Sequence, residues 1–169
     1  GPGNCLIYMW IRKNSNKYYD EGGEIAEKGT TEKFIFDQYL DNYYYSKISS
    51  DRSVETNDFD ISFAKGLSLE NGTTTMTDLT SELLSKKIGN NDIFVCGGGR
   101  KNKFLMSQLK NKIKNKLFLI DDVNIDGDYV ESQAFAFLSI RSYLGLPLSF
   151  PSTTNCKRPS LGGVITKNF

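Results

Sequence analysis

The 169-residue chain carries 21 Lys and Arg against 20 Asp and Glu, a net charge of +1, with 38% hydrophobic and 24% charged residues. This is the composition of a folded, water-soluble chain, and the balanced charge removes the electrostatic case for nucleic-acid binding. Histidine is absent, which excludes His-based triads, His general bases and most zinc and haem sites. No apolar run approaches the ~18 residues of a membrane span, and the N-terminus has no signal-peptide pattern. Cys5, Cys96 and Cys156 are far apart without C-x-x-C spacing. They read as buried small hydrophobes in a reducing cytoplasm, with no metal site.

Gly1-Pro2-Gly3-Asn4 opens the chain without Met, as either a protease scar or the interior of a longer protein. Leu6, Ile7, Met9, Trp10 and Ile11 then predict the first turns of a helix. Asp20-Glu21-Gly22-Gly23 is a breaker, and Gly29 before Thr30-Thr31 reads as a helix stop followed by a new N-cap. Phe36, Tyr39 and Leu40 lie at helical spacing between Glu32 and Leu40. From Tyr43 to Gly72 the text is aperiodic, and its length favours a functional or interface segment with one short helix. Thr73 to Ile88, ending at Gly89, predicts an amphipathic helix. Ile93 to Cys96 predicts a short buried strand, Gly97-Gly98-Gly99 the turn after it, Leu105 to Ile113 a helix, and Leu117 to Ile120 a second strand. Tyr129 to Leu144 is helical and apolar over most of its circumference, as for a helix inside the fold or at an interface. Strand, glycine turn, helix, strand, helix describes an α/β domain with parallel pairing.

Two segments have the composition of a ligand site. Gly97-Gly98-Gly99, Arg100 and Asn102 let backbone approach a nucleotide at a helix N-terminus, or form an ordinary tight turn; the spacing matches neither G-x-G-x-x-G nor a P-loop. Gly1-Pro2-Gly3-Asn4 is a phosphate-binding turn, or a tag remnant plus a loop. Lys101, Lys103, Lys110, Lys112, Lys114 and Lys116 read as a solvated helix face, and Tyr43-Tyr44-Tyr45 as packing aromatics. Asp121, Asp122, Asp126 and Asp128 precede Glu131, either as acids favoured by a helix dipole or with Glu131 facing a cleft.

Taken in order, these segments resemble one family. Gly1-Pro2-Gly3-Asn4 with Leu6-Ile7, then Tyr19-Asp20 and Gly29, resemble the opening of the C-terminal half of anhydro-N-acetylmuramic acid kinases. Asn57-Asp58-Phe59 and Thr75-Met76-Thr77-Asp78-Leu79-Thr80 resemble the segments that follow. Val95 to Arg100 with Asn102, Leu105-Met106 and Leu109 resemble the family's nucleotide-site segment. Ile125-Asp126-Gly127-Asp128, Glu131, Ala134 to Ala136 and Leu138 follow, and Gly145-Leu146-Pro147, Pro151-Ser152 and Leu161-Gly162-Gly163 close the match.

The resemblance implies a ribonuclease-H-like domain of the actin/hexokinase-like sugar kinase superfamily, with residues 1–169 as the second of two domains. It implies ATP and Mg2+, conversion of 1,6-anhydro-N-acetylmuramic acid and water to N-acetylmuramic acid 6-phosphate, and a homodimer of the full-length protein. Carried over, Gly1, Gly3, Gly97, Gly98, Gly99 and Asn102 would be nucleotide-binding, and Asn4 and Glu131 substrate-binding. The catalytic residue, an Asp acting as general base, is expected just upstream of Gly1, so that the chain alone would be inactive. Tyr8 stands where the family has Asp, Arg52 near a usual Lys, and Asn155 where it has Gly. The alternatives are another carbohydrate kinase of the superfamily and a non-catalytic interaction module.

Overall fold

The computed structural model describes residues 2–45, 56–88 and 91–166. Gly1, Arg52 and Gly89, and the side chains of Tyr44 and Tyr45, lie outside them. The elements in chain order are α1 (Cys5–Asn14), α2 (Lys33–Tyr45), α3 (Leu69–Lys87), β1 (Ile93–Val95), α4 (Lys103–Lys112), β2 (Leu117–Leu119), α5 (Val130–Tyr143) and α6 (Pro151–Thr154). Single 3-10 turns punctuate the loops, at Ala26–Lys28, Thr56–Asp58, Ser62–Ala64, Gly98–Lys101 and Ile120–Val123.

α1, α3 and α4 form the packed half. Leu6, Ile7, Trp10 and Ile11 make one apolar face on α1, and all four are buried against Met76 and Leu83 of α3 and Leu105 of α4. Ile25, Phe59, Ile61 and Ala64 complete this core. The Tyr43–Gly72 segment is therefore shorter as a connection than its composition suggests. α2 takes its start, α3 its end, and part of what lies between packs inside.

α3 is the central helix and an unusual one, because Thr73, Thr74, Thr75, Thr77, Thr80 and Ser81 are all buried. Their hydroxyls do not go unpaired, which would cost about 1–3 kcal/mol each. Thr73, Thr75, Thr77 and Thr80 donate to the carbonyls of Leu69, Asn71, Thr73 and Met76 one turn back, the local bonding open to short hydroxyl side chains. The helix starts at Leu69, a turn before the expected Thr73, because the Ser68 hydroxyl accepts the Asn71 N–H at 3.1 Å and caps it.

β1 and β2 pair in parallel, Ile93 opposite Leu117 and Val95 opposite Leu119, with α4 as the crossover. The expected α/β character with parallel pairing is thus present as a two-stranded sheet. It is not the buried sheet expected: Phe94 is 47% exposed and stacks on its cross-strand partner Phe118. Parallel strands are ordinarily covered on both faces, and here they are not.

α5 departs from expectation in the same way. Every one of its residues is exposed or only partly covered, Phe135 at 62% and Tyr143 at 75%. Its apolar circumference is real, but among the described residues only the 147–165 segment meets it, along Leu138, Arg141 and Ser142, and the rest stays open. The cysteines are not core either: Cys96, at the end of exposed β1, is open to solvent, and Cys5 and Cys156 are half-buried. Burial pushes the Cys5 thiol above its ordinary pKa, away from a nucleophilic thiolate. Asn155, expected as a departure, adopts φ 55, a left-handed conformation that Asn tolerates better than other non-glycine residues.

Candidate functional site

A cleft of about 500 Å³ opens between the N-terminus of α1 and the turn after β1, lined by Asn4, Tyr8, Tyr19, Asp20, Glu21, Gly22, Gly98, Lys101 and Asn102. It unites the two segments singled out in the sequence. On one side Pro2 is buried and its carbonyl accepts the Cys5 N–H at 2.9 Å, so residues 2–4 form an ordered turn into α1. Asn4 is the N-cap residue of α1, yet its side chain caps nothing. Its Nδ2 donates instead to the Tyr8 hydroxyl at 3.2 Å. Its Oδ1 is buried and has no hydrogen-bond partner among the described residues.

The other wall is the glycine turn, and its three glycines are not equivalent. Gly97 sits at φ 75 and ψ −178, a region essentially confined to glycine. Gly98 and Gly99 lie outside the left-handed region. A Cβ on Gly98 would meet nothing nearer than the Tyr8 hydroxyl at 3.8 Å and Asn4 Nδ2 at 3.9 Å, and one on Gly99 would meet the Asn4 carboxamide at 3.6 Å. The fold itself therefore requires glycine at Gly97 and leaves room for a side chain at Gly98.

Asn102 borders the cleft as the buried N-cap of α4, its Oδ1 accepting the Leu105 N–H at 2.9 Å. Asp20 is buried beside it, with both carboxylate oxygens accepting backbone N–H bonds from Ile25 and Ala26.

The turn is anchored from behind by Arg100, whose side chain is 7% exposed. Its guanidinium donates to Asp121 at 2.7 and 3.1 Å, to Asp128 at 2.7 Å and to the Gly97 carbonyl at 3.0 Å. Gly97 N–H in turn donates to the Gly127 carbonyl at 2.9 Å. Asp121 and Asp128 thus answer a buried cation, which neither sequence reading of the acidic segment had given them. The Arg100 and Lys101 hydrogen bonds hold the Asp128 carboxyl down at about 2, those from Arg100 lower Asp121, and both carboxylates raise Arg100.

Of the residues marked in the sequence, Asn4, Gly98 and Asn102 line the cleft and Gly97 and Gly99 frame it. Gly3 is exposed at the mouth of the α1 turn, with φ 49. Glu131 is exposed in the first turn of α5 and does not line the cleft. Sequence reasoning missed Tyr8, Tyr19, Asp20, Glu21, Gly22 and Lys101 as lining residues. Tyr8 had a usable signal, since it lies four residues after Asn4 and so on the same face of α1. Five of the six expected basic-face lysines are exposed, and Lys112 is partly buried against Asp78 and Glu82.

Comparison with known proteins adds the following. The family model described as "Anhydro-N-acetylmuramic acid kinase" matches residues 1–168. A relative named anhydro-N-acetylmuramic acid kinase from Pelagibacter ubique is 43% identical over 180 residues, covering 100% of this chain and 48% of its own length. Relatives of the same name from Zymomonas mobilis and Rhizobium johnstonii are each 33% identical, covering 98% of this chain and 46% of their own. The chain spans about half the length of the curated relatives it matches.

Proposed function

Because the chain belongs to the anhydro-N-acetylmuramic acid kinase family, we propose that it is one lobe, the second in chain order, of an ATP-dependent sugar kinase. The reaction is the opening of 1,6-anhydro-N-acetylmuramic acid by water with transfer of the γ-phosphoryl group to O6, giving N-acetylmuramic acid 6-phosphate and ADP. Its place is peptidoglycan recycling in the cytoplasm. The lobe is ribonuclease-H-like, the full-length polypeptide is a homodimer, and the general base lies upstream of Gly1.

One observation carries this reading. Gly98 lines the cleft beside Asn4 and Tyr8 and lacks a side chain that the fold would tolerate there, while Gly99 lies against the Asn4 carboxamide. Glycine without a backbone need marks a place where something else approaches. The fit to a nucleotide is good on this ground: a Cβ-free strip for adenosine at Gly98 and Gly99, Asn102 at the head of α4, and Gly97 holding the turn. Gly1 and Gly3 would offer backbone N–H groups toward the phosphates. The nucleotide supplies the phosphoryl group and this lobe holds its adenosine end. Mg2+ would be held mainly by phosphate oxygens and water; the described residues contain no cluster of three or more carboxylate or thiol side chains suited to it. Asn4 would contact the sugar, and Glu131 stays on the sugar side on the strength of the resemblance alone.

The test is turnover. The full-length polypeptide, given ATP, Mg2+ and 1,6-anhydro-N-acetylmuramic acid, should form the 6-phosphate stoichiometrically with ADP, as read by phosphorus NMR. Phosphorylation of other hexoses with the anhydro sugar left untouched would select the broader carbohydrate-kinase reading. No phosphoryl transfer to any sugar would select the interaction module.

A further inference from the structure

The cleft wall around Asn4 has a hydrogen-bonding polarity that the motifs alone do not disclose. Asn4 owns one carboxamide with two donors and one acceptor oxygen. Its Nδ2 is committed to the Tyr8 hydroxyl, which leaves Oδ1 buried without a partner beside the glycine turn. A buried carbonyl oxygen left unpaired costs stability unless a ligand supplies a donor. The charges nearby point the same way. Asp20 and Glu21 line the cleft as acids, and the one lining cation among the described residues, Lys101, is already paired with Asp128 at 2.6 Å. A phosphate would meet an acceptor oxygen and two carboxylates here. A hydroxyl would meet a vacant acceptor. Two aromatic rings, Tyr8 and Tyr19, lie 6.3 Å apart on the same wall and offer apolar surface to the C–H face of a ring.

We propose that Tyr8 is a positioning residue: by receiving Asn4 Nδ2 it fixes the carboxamide so that Oδ1 accepts a ring hydroxyl, making this wall a subsite for a hydroxyl-bearing ring rather than for phosphate. The proposal rests on the kinase reading and names the group its cleft recognises. Two rings in that reaction carry hydroxyls, the acceptor sugar and the ribose of the nucleotide; the pairing with Asn4 is the same chemistry for both.

Three variants of the full-length polypeptide separate the possibilities. Tyr8→Phe keeps the ring and removes only the hydroxyl, Asn4→Asp keeps an acceptor and adds negative charge, and Asn4→Ala removes the acceptor. Titrations use 1,6-anhydro-N-acetylmuramic acid and a non-hydrolysable ATP analogue separately, with melting temperature as the check on folding. Tyr8→Phe should raise Kd for one of the two ligands roughly three- to tenfold, the scale of one hydrogen bond, with the melting temperature unchanged. Asn4→Ala should weaken the same ligand at least as much, while Asn4→Asp should retain it within a few-fold. The affected ligand tells which ring occupies the wall. Unchanged affinities in Tyr8→Phe, or a collapse of ATP-analogue binding in Asn4→Asp greater than in Asn4→Ala, would overturn the proposal, the latter because it marks a phosphate there. Should Tyr8→Phe fail to fold, the Asn4 pair decides alone. Wild-type protein that transfers phosphate to no sugar overturns the kinase reading itself, a result the variants do not mimic.

Discussion

The indole of Trp10 lies directly on Gly72, where a Cβ would fall 2.1 Å from Trp10 Cε2. The same ring donates its Nε1–H to the Leu69 carbonyl at 3.1 Å, so α1 and α3 are locked by contact and hydrogen bond together. Gly72→Ala would gain about 1 kcal/mol of helix propensity but must displace a ring pinned on two sides. Overpacking of this kind costs about 1–3 kcal/mol, so a net loss is expected. Trp10 is the sole tryptophan, and its emission should shift to the red in the folded variant while the denaturation midpoint falls. An unchanged midpoint would show that the helices separate freely.

The Arg100 anchor makes an acid-sensitivity prediction. Asp121 and Asp128 titrate below their ordinary range in the folded chain, Asp128 at about 2. Carboxylates depressed on folding contribute stability that is fully present above the unfolded value of ~3.9 and is lost as pH falls through the folded value. The stability difference between wild type and Arg100→Gln should therefore be constant above about pH 5 and shrink toward pH 2. A gap that stays constant from pH 5 to pH 2 would separate the anchor from these two acids.

Much of this was legible in advance, for local reasons. The α1 block, the strand before Gly97 and the helix after Asn102 announce themselves through nearest-neighbour patterns and caps, which one sequence carries in full. What was not legible depends on distant partners. Nothing near Phe135 or Phe137 says that α5 is left largely uncovered among the described residues, and nothing near Asp121 says that a cation 21 residues earlier in the chain needs it. The polar α3 was misread at its start because Gly72 looks like a terminus. It is an interior residue chosen for Trp10. In the site, both glycine segments were marked, but their meeting in one cleft is a property of the α1–α3–α4 packing.

Buried hydroxyls on α3 divide into two kinds. Thr77 Oγ1 bonds only the Thr73 carbonyl, whose helical hydrogen bond survives without it. Thr74 Oγ1 also bonds the Ala26 carbonyl at 2.5 Å, outside its own helix. Thr74→Val should thus cost about 1 kcal/mol more than Thr77→Val, measured by urea denaturation of the pair. Equal losses would mean that the link to Ala26 contributes nothing.

Truncations should reveal the uneven packing. Leu79→Ala removes a fully buried side chain and is expected to cost about 2–5 kcal/mol. Phe137→Ser removes an exposed one and should change the stability of this chain by less than about 0.5 kcal/mol. Calorimetry on residues 1–169 compares them, and a comparable loss at Phe137 would mean that α5 is packed in solution.

The central claim, that the glycine turn is a nucleotide wall, meets its sharpest test in calorimetric titration of ATP into the full-length polypeptide and its Gly98→Val variant. A Cβ at Gly98 meets only ordinary contacts at 3.8 and 3.9 Å, and affinity is read on variant protein whose melting temperature is shown to match wild type. ATP binding should weaken by roughly 1–3 kcal/mol, as for overfilling a close-fitting site, with sugar affinity much less affected. Unchanged ATP affinity in a well-folded Gly98→Val protein would contradict the claim and leave Gly98 without a reason to be glycine.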